Sequence, residues 1–393
     1  MKIMLNLLPL KVGGGVQVGL DFIENAKKLE LGQKHEWLVV ATKGTAFSNI
    51  RPGPNLRIAR LVPDNILARI WFEYFGCRRL VREFNPDIIY TQFGVHWPGA
   101  PRDIPHIVGC AFPYLAYPDG MKLWDGESPL KRLRLYASVW HNSRNLRRAD
   151  EVIFETEVMA RRTTRNLGLD PDKAHVVRPA CSSLVRPGQR HAETADRCRA
   201  LPRGFRILLI AGYSPHKNIF LLPRIAEVLK NTHGLNDTVF VTTLAPEHPK
   251  TSAFFADAAA RGTQSMIYNF GPVSQDGCAE LYSAVDAVIL PSRLESFSNT
   301  VAEAWTMGKP LLVSDLDWAR EACGDGAHYF RYDDATEAAA AIVLLRKDAA
   351  SRARFIDAGK KMMATYPSSE ERFLQYLRVI ESRYARISGG IRG

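Results

Sequence analysis

The sequence predicts an α/β protein with two doubly wound domains that face each other across a cleft. At 393 residues the chain exceeds a single ordinary core, since domains usually hold ~100–200 residues. Short, continuous apolar runs alternate with segments of helical period, a pattern typical of parallel strands covered by helices on both faces. Turn-forming residues interrupt this alternation once, over 177–204, and it then restarts.

Each half of the chain supplies its own strands. The predicted strands are 2–8, 36–41, 87–90, 106–111 and 151–155 in the first half, and 205–213, 238–244, 266–270, 287–291 and 310–315 in the second. Helices are expected at 65–84, 129–148 and 368–386. We therefore place the domains at 1–195 and 196–365, with a final helix in 366–393 that is expected to pack back across both.

Positive charge is concentrated in the first half. Residues 1–200 contain 30 Lys and Arg against 20 Asp and Glu, whereas 201–393 contain 22 against 21. A basic domain favours acidic partners such as an anionic membrane surface or a phosphorylated acceptor, although a solvated basic surface explains the excess equally well. Nucleic acid is not expected, because no helix-turn-helix, zinc-finger or aromatic RNA-binding signature accompanies the charge.

The sequence predicts neither a membrane span nor a metal centre. No run approaches the ~18 apolar residues that cross a bilayer, and no signal-peptide pattern is seen. A cytoplasmic protein is therefore expected, with the inner face of the membrane as a place of peripheral attachment. Buried reduced thiols are expected for the six scattered cysteines, which are Cys77, Cys110, Cys181, Cys198, Cys278 and Cys323.

The densest signal is the segment 291–310, in which a buried strand ends in a small polar loop that opens a helix. Ligands of open α/β sheets bind at the carboxyl ends of strands, where a helix N-terminus offers N–H groups to phosphate. The donor-binding candidates here are Ser296, Phe297, Ser298, Asn299 and Thr300.

Two glutamates flank this helix start. Glu295 precedes the helix and Glu303 lies about one turn inside it, so the carboxylates are placed to bracket a nucleotide sugar from the sugar side and from the ribose side. Glu303 has a second interpretation, because Thr300-x-x-Glu303 is also a capping box that needs no ligand.

This segment resembles the paired-glutamate signature of the retaining GT-B glycosyltransferases of family 4, also called glycosyl transferases group 1. Seven residues separate the two glutamates, which lie between Pro291-Ser292 and Gly308-Lys309-Pro310. The resemblance implies two Rossmann-like domains, with Glu303 at the ribose of the donor. It implies that Glu295, the catalytic candidate, lies beside the transferred sugar.

A second signal lies after strand 205–213, where Gly212 precedes Lys217. A glycine turn and a cation suit a diphosphate, and the loop is similar to the family's loop whose lysine neutralises the donor pyrophosphate. The family often has an arginine a few residues earlier, where this chain has Gly212, Tyr213 and Ser214, so one positive charge is missing or comes from elsewhere. His216 is expected to be a surface residue without an acid–base role.

Two more loops are assigned to the donor by resemblance. The stretch Asn269-Phe270-Gly271-Pro272-Val273 is similar to the family's base-binding loop, which gives Gly271 and Val273 as donor-binding candidates. Near the start, the glycines of 12–17 permit close approach of backbone to a ligand. Gly14 and Gly15 look like the N-domain loop that faces the donor, although an unconstrained turn also explains a glycine run.

Two features depart from the family pattern or imitate another. Where the family often has a histidine after a strand, this chain has Cys110 and Ala111, and His96 is either a substitute or an ordinary loop histidine. Asp315-Leu316-Asp317 has the spacing of a divalent-metal motif. The resembling family has an acidic loop there and usually needs no metal, so we interpret it as structural.

The expected activity is transfer of a hexose or related sugar from a nucleotide diphosphate to an acceptor hydroxyl with retention, without a cofactor. The acceptor is expected to be a glycan or a lipid-linked molecule of cell-surface polysaccharide or glycolipid synthesis. The alternatives are a nucleotide-sugar epimerase or a phosphorylase of the same fold and, from another class, a basic nucleic-acid-binding protein.

Overall fold

The computed structural model describes residues 1–11, 13–180 and 185–390. Packing divides the chain into a first unit of Met1–Met121, Asp125–Ala180 and Pro367–Gly393 and a second unit of Lys122–Trp124 and Cys181–Tyr366. The sequence predicts this boundary at 195. Val12 of the glycine loop and residues 181–184 of the expected linker, including Cys181, lie outside the described residues.

Among the residues that the structure describes, seven strands form the sheet of the first unit: β1 (Lys2–Asn6), β2 (Glu36–Thr42), β3 (Leu56–Val62), β4 (Ile88–Thr91), β5 (His106–Cys110), β6 (Glu151–Phe154) and β7 (Ala174–Val176). All pair in parallel, in the order β3-β2-β1-β4-β5-β6-β7. The five predicted strands are confirmed. Two strands are not predicted by the sequence pattern. They are the edge strand β3, whose apolar run is interrupted by Arg57 and Arg60, and β7, which has only three residues.

The helices of the first unit, numbered along the chain, are α1 (Gly14–Lys28), α2 (Glu30–Gln33), α3 (Ile66–Trp71), α4 (Cys77–Phe84), α5 (Pro129–Leu146), α6 (Glu157–Leu167) and the final α15 (Ser369–Gly390). The predicted helix 65–84 is divided, because one turn of π-helix (Phe72–Gly76) separates α3 from α4. Helix α15 packs on the first unit, where Phe373 meets Phe22 with ring centroids 4.9 Å apart. Packing of this helix across the second domain stays a prediction.

The second unit repeats the architecture with β8 (Phe205–Leu209), β9 (Thr238–Thr242), β10 (Ile267–Asn269), β11 (Ala287–Leu290), β12 (Leu311–Ser314) and β13 (His328–Phe330). Their order is β10-β9-β8-β11-β12-β13, again parallel throughout. The five predicted strands are confirmed, and the three-residue β13 was missed.

The described part of the second unit contains eight α-helices: α7 (Ala192–Arg199), α8 (Leu221–His233), α9 (Pro249–Ala260), α10 (Cys278–Ser283), α11 (Asn299–Thr306), α12 (Asp317–Cys323), α13 (Ala335–Lys347) and α14 (Ala349–Met363). Helix α7 lies where turn and linker residues were expected. It was missed because its sequence has no apolar stripe, and only Thr194 of its residues is buried.

Both sheets reverse their strand order at one place, between β1 and β4 in the first unit and between β8 and β11 in the second. The fold-class prediction of two doubly wound parallel sheets is therefore confirmed. Loops that leave the carboxyl ends of strands at such a switch point diverge to opposite faces and leave a crevice for a ligand. In the second unit these loops are 210–220 and 291–298, which carry the two strongest sequence signals.

Within the described ranges, no helix is long and apolar enough to cross a bilayer. The described cysteines are unpaired thiols, of which Cys77, Cys110, Cys278 and Cys323 are buried and Cys198 is half-buried. Burial raises the pKa of Cys77 to about 12, so this thiol stays protonated and packs as an apolar group.

Candidate active site

A lysine and a glutamate meet at the switch point of the second unit. Lys217 Nζ lies 2.6 Å from Glu295 Oε1, and the two side chains are 21% and 9% exposed. The loop that carries Lys217 turns back at Asn218, which has a φ of 55°. The side-chain amide of Asn218 donates to the backbone carbonyls of Pro291 (3.2 Å) and Tyr332 (2.8 Å). These bonds tie the loop of Lys217 to the loops that follow β11 and β13.

His216 also joins these two loops. Its carbonyl accepts a hydrogen bond from the Arg293 N–H at 2.7 Å, and its Nδ1 lies 2.8 Å from Ser214 Oγ. Burial lowers the pKa of His216 to about 4. The residue is half-buried rather than fully at the surface, and the lowered pKa leaves its ring neutral near pH 7.

Glu303 is held by a buried tyrosine. The Tyr282 hydroxyl in α10 donates to Glu303 Oε2 at 2.8 Å, and both residues are buried. Burial raises the pKa of the Glu303 carboxyl, and the Tyr282 hydroxyl opposes that rise. The capping-box interpretation is wrong, because α11 is capped at Ser298, which places Thr300 and Glu303 inside the helix.

The start of α11 is lined by small polar residues. Ser298 is the N-cap in extended conformation and makes no side-chain capping bond with the described residues, so its hydroxyl does not occupy the first N–H groups of the helix. Ser296 and Thr300 are buried and Asn299 is half-buried. The Phe297 ring packs on Tyr366, with centroids 5.7 Å apart, which leaves its backbone as the part able to meet a donor.

The loop after β10 depends on an arginine that the sequence analysis did not single out. Gly271 has a φ of 77°, a conformation that favours glycine. Arg197 in α7 donates to the carbonyls of Phe270 and Pro272, and its guanidinium lies 4.1 Å from the Phe270 ring centroid. Val273, the other candidate in this loop, is half-buried.

Hydrogen bonds join the loops along the carboxyl edge of this sheet. The Ala211 N–H donates to Thr243 Oγ1 at 3.0 Å, linking the loop after β8 to the loop after β9. The Leu244 N–H donates to Asn269 Oδ1 at 3.1 Å, linking the latter to β10. The candidate residues of the second unit therefore lie on one hydrogen-bonded edge. Gly212 on this edge is exposed.

The remaining candidates lie in the first unit. Gly14 and Gly15 begin α1, and a Cβ on Gly15 would lie 3.2 Å from Leu10. The His96 ring lies 4.6 Å from that of His106, and burial lowers the pKa of His96 to about 4. Burial raises the pKa of Cys110 to about 12. Both His96 and Cys110 are therefore neutral at physiological pH.

The Asp-x-Asp sequence has protein partners. Both oxygens of Asp315 accept from Arg320, at 2.7 and 2.8 Å, and this hydrogen-bonded pairing lowers the pKa of Asp315. Asp317 is the first residue of α12, and its side chain accepts from the Trp318 N–H. These contacts agree with the structural interpretation of the motif.

Two doubly wound parallel sheets in one chain are the architecture of the GT-B glycosyltransferases. The model of the family Glycosyl transferases group 1 matches residues 200–362, and that of Glycosyltransferase Family 4 matches 12–181. The chain belongs to this family, the group 1 or family 4 glycosyltransferases.

The individual proteins that match this chain have modest sequence identity to it. The D-inositol 3-phosphate glycosyltransferase of Nocardioides sp. is 30% identical over 191 residues, which are 45% of this chain and 41% of that protein. The chain thus spans less than half the length of this curated relative.

Two solved structures resemble the whole chain in fold. A glycosyltransferase from Rickettsia africae has a TM-score of 0.71 at 17% identity and covers 98% of both chains. Anabaena Alr3699/HepE, solved in complex with UDP and glucose, has a TM-score of 0.68 at 14% identity and covers 97% of this chain and 100% of its own.

Proposed function

We propose that this protein transfers a sugar from a nucleotide diphosphate sugar to an acceptor hydroxyl. The observation that carries the proposal is the Lys217–Glu295 pair at the switch point, on the strand-end loop that opens α11. A diphosphate needs a cation and N–H donors, and a sugar needs a carboxylate that accepts from its hydroxyls. The fold likeness to a protein solved with UDP and glucose supports a donor of this kind.

The ion pair exchanges partners when the donor binds. The phosphate oxygens accept hydrogen bonds from the Lys217 ammonium. Glu295 is then free to accept hydrogen bonds from the hydroxyls of the transferred sugar. The open N–H groups at the start of α11 complete the anion site. Donor binding thus replaces one ion pair by two interactions that both involve the donor.

The nucleoside is held farther along the same edge. One carboxylate oxygen of Glu303 continues to accept the hydrogen bond from the Tyr282 hydroxyl. The remaining lone pairs of the carboxylate accept hydrogen bonds from the ribose hydroxyls. The backbone of Gly271 and Val273 meets the base, on a loop fixed by Arg197. The assignment of Gly14 and Gly15 to donor binding, which rests on the resemblance, stays a prediction.

In the reaction, the bond from the anomeric carbon to the diphosphate oxygen breaks and the acceptor oxygen bonds to that carbon from the same face. The acceptor proton passes to the departing diphosphate, so no covalent protein intermediate is required. Lys217 and the α11 N-terminus stabilise the negative charge that develops on the leaving group. This charge stabilisation is also why we propose that no metal ion is needed.

We place the activity in cell-surface polysaccharide or glycolipid synthesis, with a hexose as the transferred sugar and a glycan or lipid-linked acceptor. The basic excess of the first 200 residues supports an acidic acceptor or surface. It also supports a cytoplasmic protein attached peripherally to the inner face of the membrane.

The donor is tested by thermal unfolding with a panel of uridine, guanosine and adenosine diphosphate sugars. One of them is expected to raise the melting temperature, because a ligand at ~100 times its Kd stabilises by about 2.7 kcal/mol. The rise is expected to disappear in Lys217→Ala.

The reaction type is tested by following the productive donor and its product by NMR. A product with the anomeric configuration of the donor is expected. Isomerisation of the donor without an acceptor would indicate an epimerase. Dependence on inorganic phosphate would indicate a phosphorylase, and either result overturns the proposal.

A further inference from the structure

Exposed large apolar side chains cluster in one part of the first unit. Eleven large apolar side chains of the described residues are exposed, and ten of them fall within 66–75 or 130–140. We call these ten the apolar face: Ile66, Leu67, Ile70, Trp71, Tyr74, Phe75, Leu130, Leu133, Tyr136 and Trp140. The eleventh is Leu31 in α2, which is 42% exposed. Single exposed apolar residues are ordinary, but a contiguous group marks an interaction site.

Both segments present their apolar residues along one side of a helix. In 66–75 the exposed positions recur every four residues, as Ile66, Ile70 and Tyr74 and again as Leu67, Trp71 and Phe75, a spacing that keeps them on one side. In α5 the exposed positions Leu130, Leu133 and Trp140 follow the same rule. Leu67 is 75% exposed and Leu133 is 65% exposed.

The opposite sides of these helices are already packed. Phe72 and Cys77 are buried against strands β1, β2 and β4, and Leu146 of α5 belongs to the core around β5 and β6. Burial lowers the pKa of His141 in α5, and the charges of Glu73 and Arg69 also act on that pKa, so the two segments lie within electrostatic range of each other. The apolar face is therefore not an unfinished part of the core.

Arginines border this face. Arg78 and Arg82 of α4 and Arg134 and Arg144 of α5 are exposed. The Arg144 guanidinium lies 5.7 Å from the Trp140 ring centroid, and that of Arg78 lies 5.9 Å from Phe75. Aromatic and aliphatic side chains edged by cations are the composition of helices that lie in a membrane interface.

We propose that the apolar face docks on an anionic phospholipid bilayer, with its side chains at the acyl boundary and the bordering arginines on lipid phosphates. This inference goes beyond the proposed sugar transfer, since it does not depend on the donor. It names the surface through which the proposed peripheral attachment takes place, and it adds apolar insertion to the attraction of charge.

Charge complementarity favours a bilayer over a second copy of this chain. In a two-fold dimer the same patch meets itself, which would bring the bordering arginines of the two copies together. Like charges across an interface disfavour that arrangement. The phosphates of anionic lipids instead neutralise these guanidiniums while the apolar side chains leave water.

The proposal is tested by co-flotation of the full chain with vesicles. Vesicles of equal parts phosphatidylcholine and phosphatidylglycerol are expected to bind the protein, more strongly than phosphatidylcholine alone. The variant Leu67→Gln/Leu133→Gln is expected to bind at least about tenfold more weakly, because neither side chain then gains the free energy that a leucine gains on leaving water. Arg78→Gln/Arg144→Gln is expected to weaken binding only to the anionic vesicles.

Leu31→Gln is the matched control, since it replaces an exposed leucine outside the face and is expected to bind as the native protein does. All variants are expected to keep their melting temperature, because the changed residues are exposed. Absence of binding by the native protein, or equal losses in Leu31→Gln, overturns the proposal. Self-association that the leucine variant abolishes, without vesicle binding, also overturns it in favour of a second copy. Because flotation needs no turnover, its result is separate from the sugar-transfer test.

Discussion

The two switch points of this protein have the same topology, but one carries charged side chains and the other carries neutral ones. In the second unit, the loops after β8 and β11 bring together the charged pair Lys217 and Glu295. In the first unit, β1 and β4 end in Asn6 and Thr91, whose side chains bond to each other at 3.0 Å. Thr91 Oγ1 also lies 2.8 Å from the Nε2 of His106, whose pKa burial lowers well below its ordinary value.

This difference teaches that the fold supplies a position and the loop residues supply the chemistry. The polar groups of the first switch point are buried, neutral and satisfied by one another, so they stabilise the sheet. At the second switch point, the ammonium and the carboxylate lie on the edge of the sheet, where a diphosphate can compete for the ammonium. The charge needed for the proposed donor binding is therefore concentrated in one of two similar units.

The largest effect is expected when a charged group of the second switch point is removed. Lys217→Ala and Glu295→Ala are each expected to lower turnover about 100-fold or more, the scale of losing a group that stabilises charge in the transition state. Lys360→Ala, at an exposed lysine of the same unit, is the control and is expected to keep native activity.

The double variant Lys217→Ala/Glu295→Ala separates catalysis from stability. Each single variant leaves one charge at a largely buried position, which costs stability, whereas the double variant removes both. Thermal unfolding is therefore expected to show recovery in the double variant while turnover stays low. Recovery of turnover together with stability would show that the pair is only structural.

An intermediate effect is expected at the tyrosine that holds Glu303. Tyr282→Phe removes the hydroxyl that opposes the raised pKa of Glu303, so that pKa rises further and the carboxylate is lost at higher pH. Donor KM is expected to rise about 3- to 10-fold with little change in kcat, since a typical hydrogen bond contributes about 0.5–1.5 kcal/mol. The acidic limb of kcat/KM is expected to move to higher pH.

The sign of the stability effect follows from the same shift. A carboxyl whose folded pKa is raised contributes stability at low pH that is lost as pH rises through the folded pKa. The stability difference between the native protein and Tyr282→Phe is thus expected to grow with pH. Tyr329→Phe, which removes a hydroxyl bonded to the Gly324 carbonyl at 2.5 Å, is the control, and an equal shift of its pH profile would refute the role of Tyr282.

The smallest expected effect concerns Gly212. A Cβ built there meets no atom of the described residues within 4 Å, so Gly212→Ala is expected to change the free energy of unfolding by less than about 0.5 kcal/mol. If the diphosphate approaches this backbone, the added methyl group is expected to raise donor KM a few-fold. Gly126→Ala, at an equally open position of the first unit, is the control. An unchanged donor KM would place the phosphates elsewhere on the edge.

Much of this architecture could be predicted because it depends on local patterns. The buried strands read as continuous apolar runs, and the loops around Lys217 and Glu295 follow such runs directly. Where the pattern was weak, prediction failed: β7 and β13 are three residues long, and α7 lacks an apolar stripe. Arg197 was missed because its contacts lie 73 and 75 residues along the chain.

The sequence by itself determined the order of strands and loops, since apolar periodicity and turn residues act over a few neighbouring positions. Only the tertiary structure decided what each polar group meets. It placed the Glu303 carboxylate against the buried Tyr282 hydroxyl instead of in a capping box, and it left His216 half-buried with a lowered pKa. It also left the apolar residues of 66–75 exposed, because burial is a property of the neighbours that folding supplies, which a periodic sequence alone does not specify.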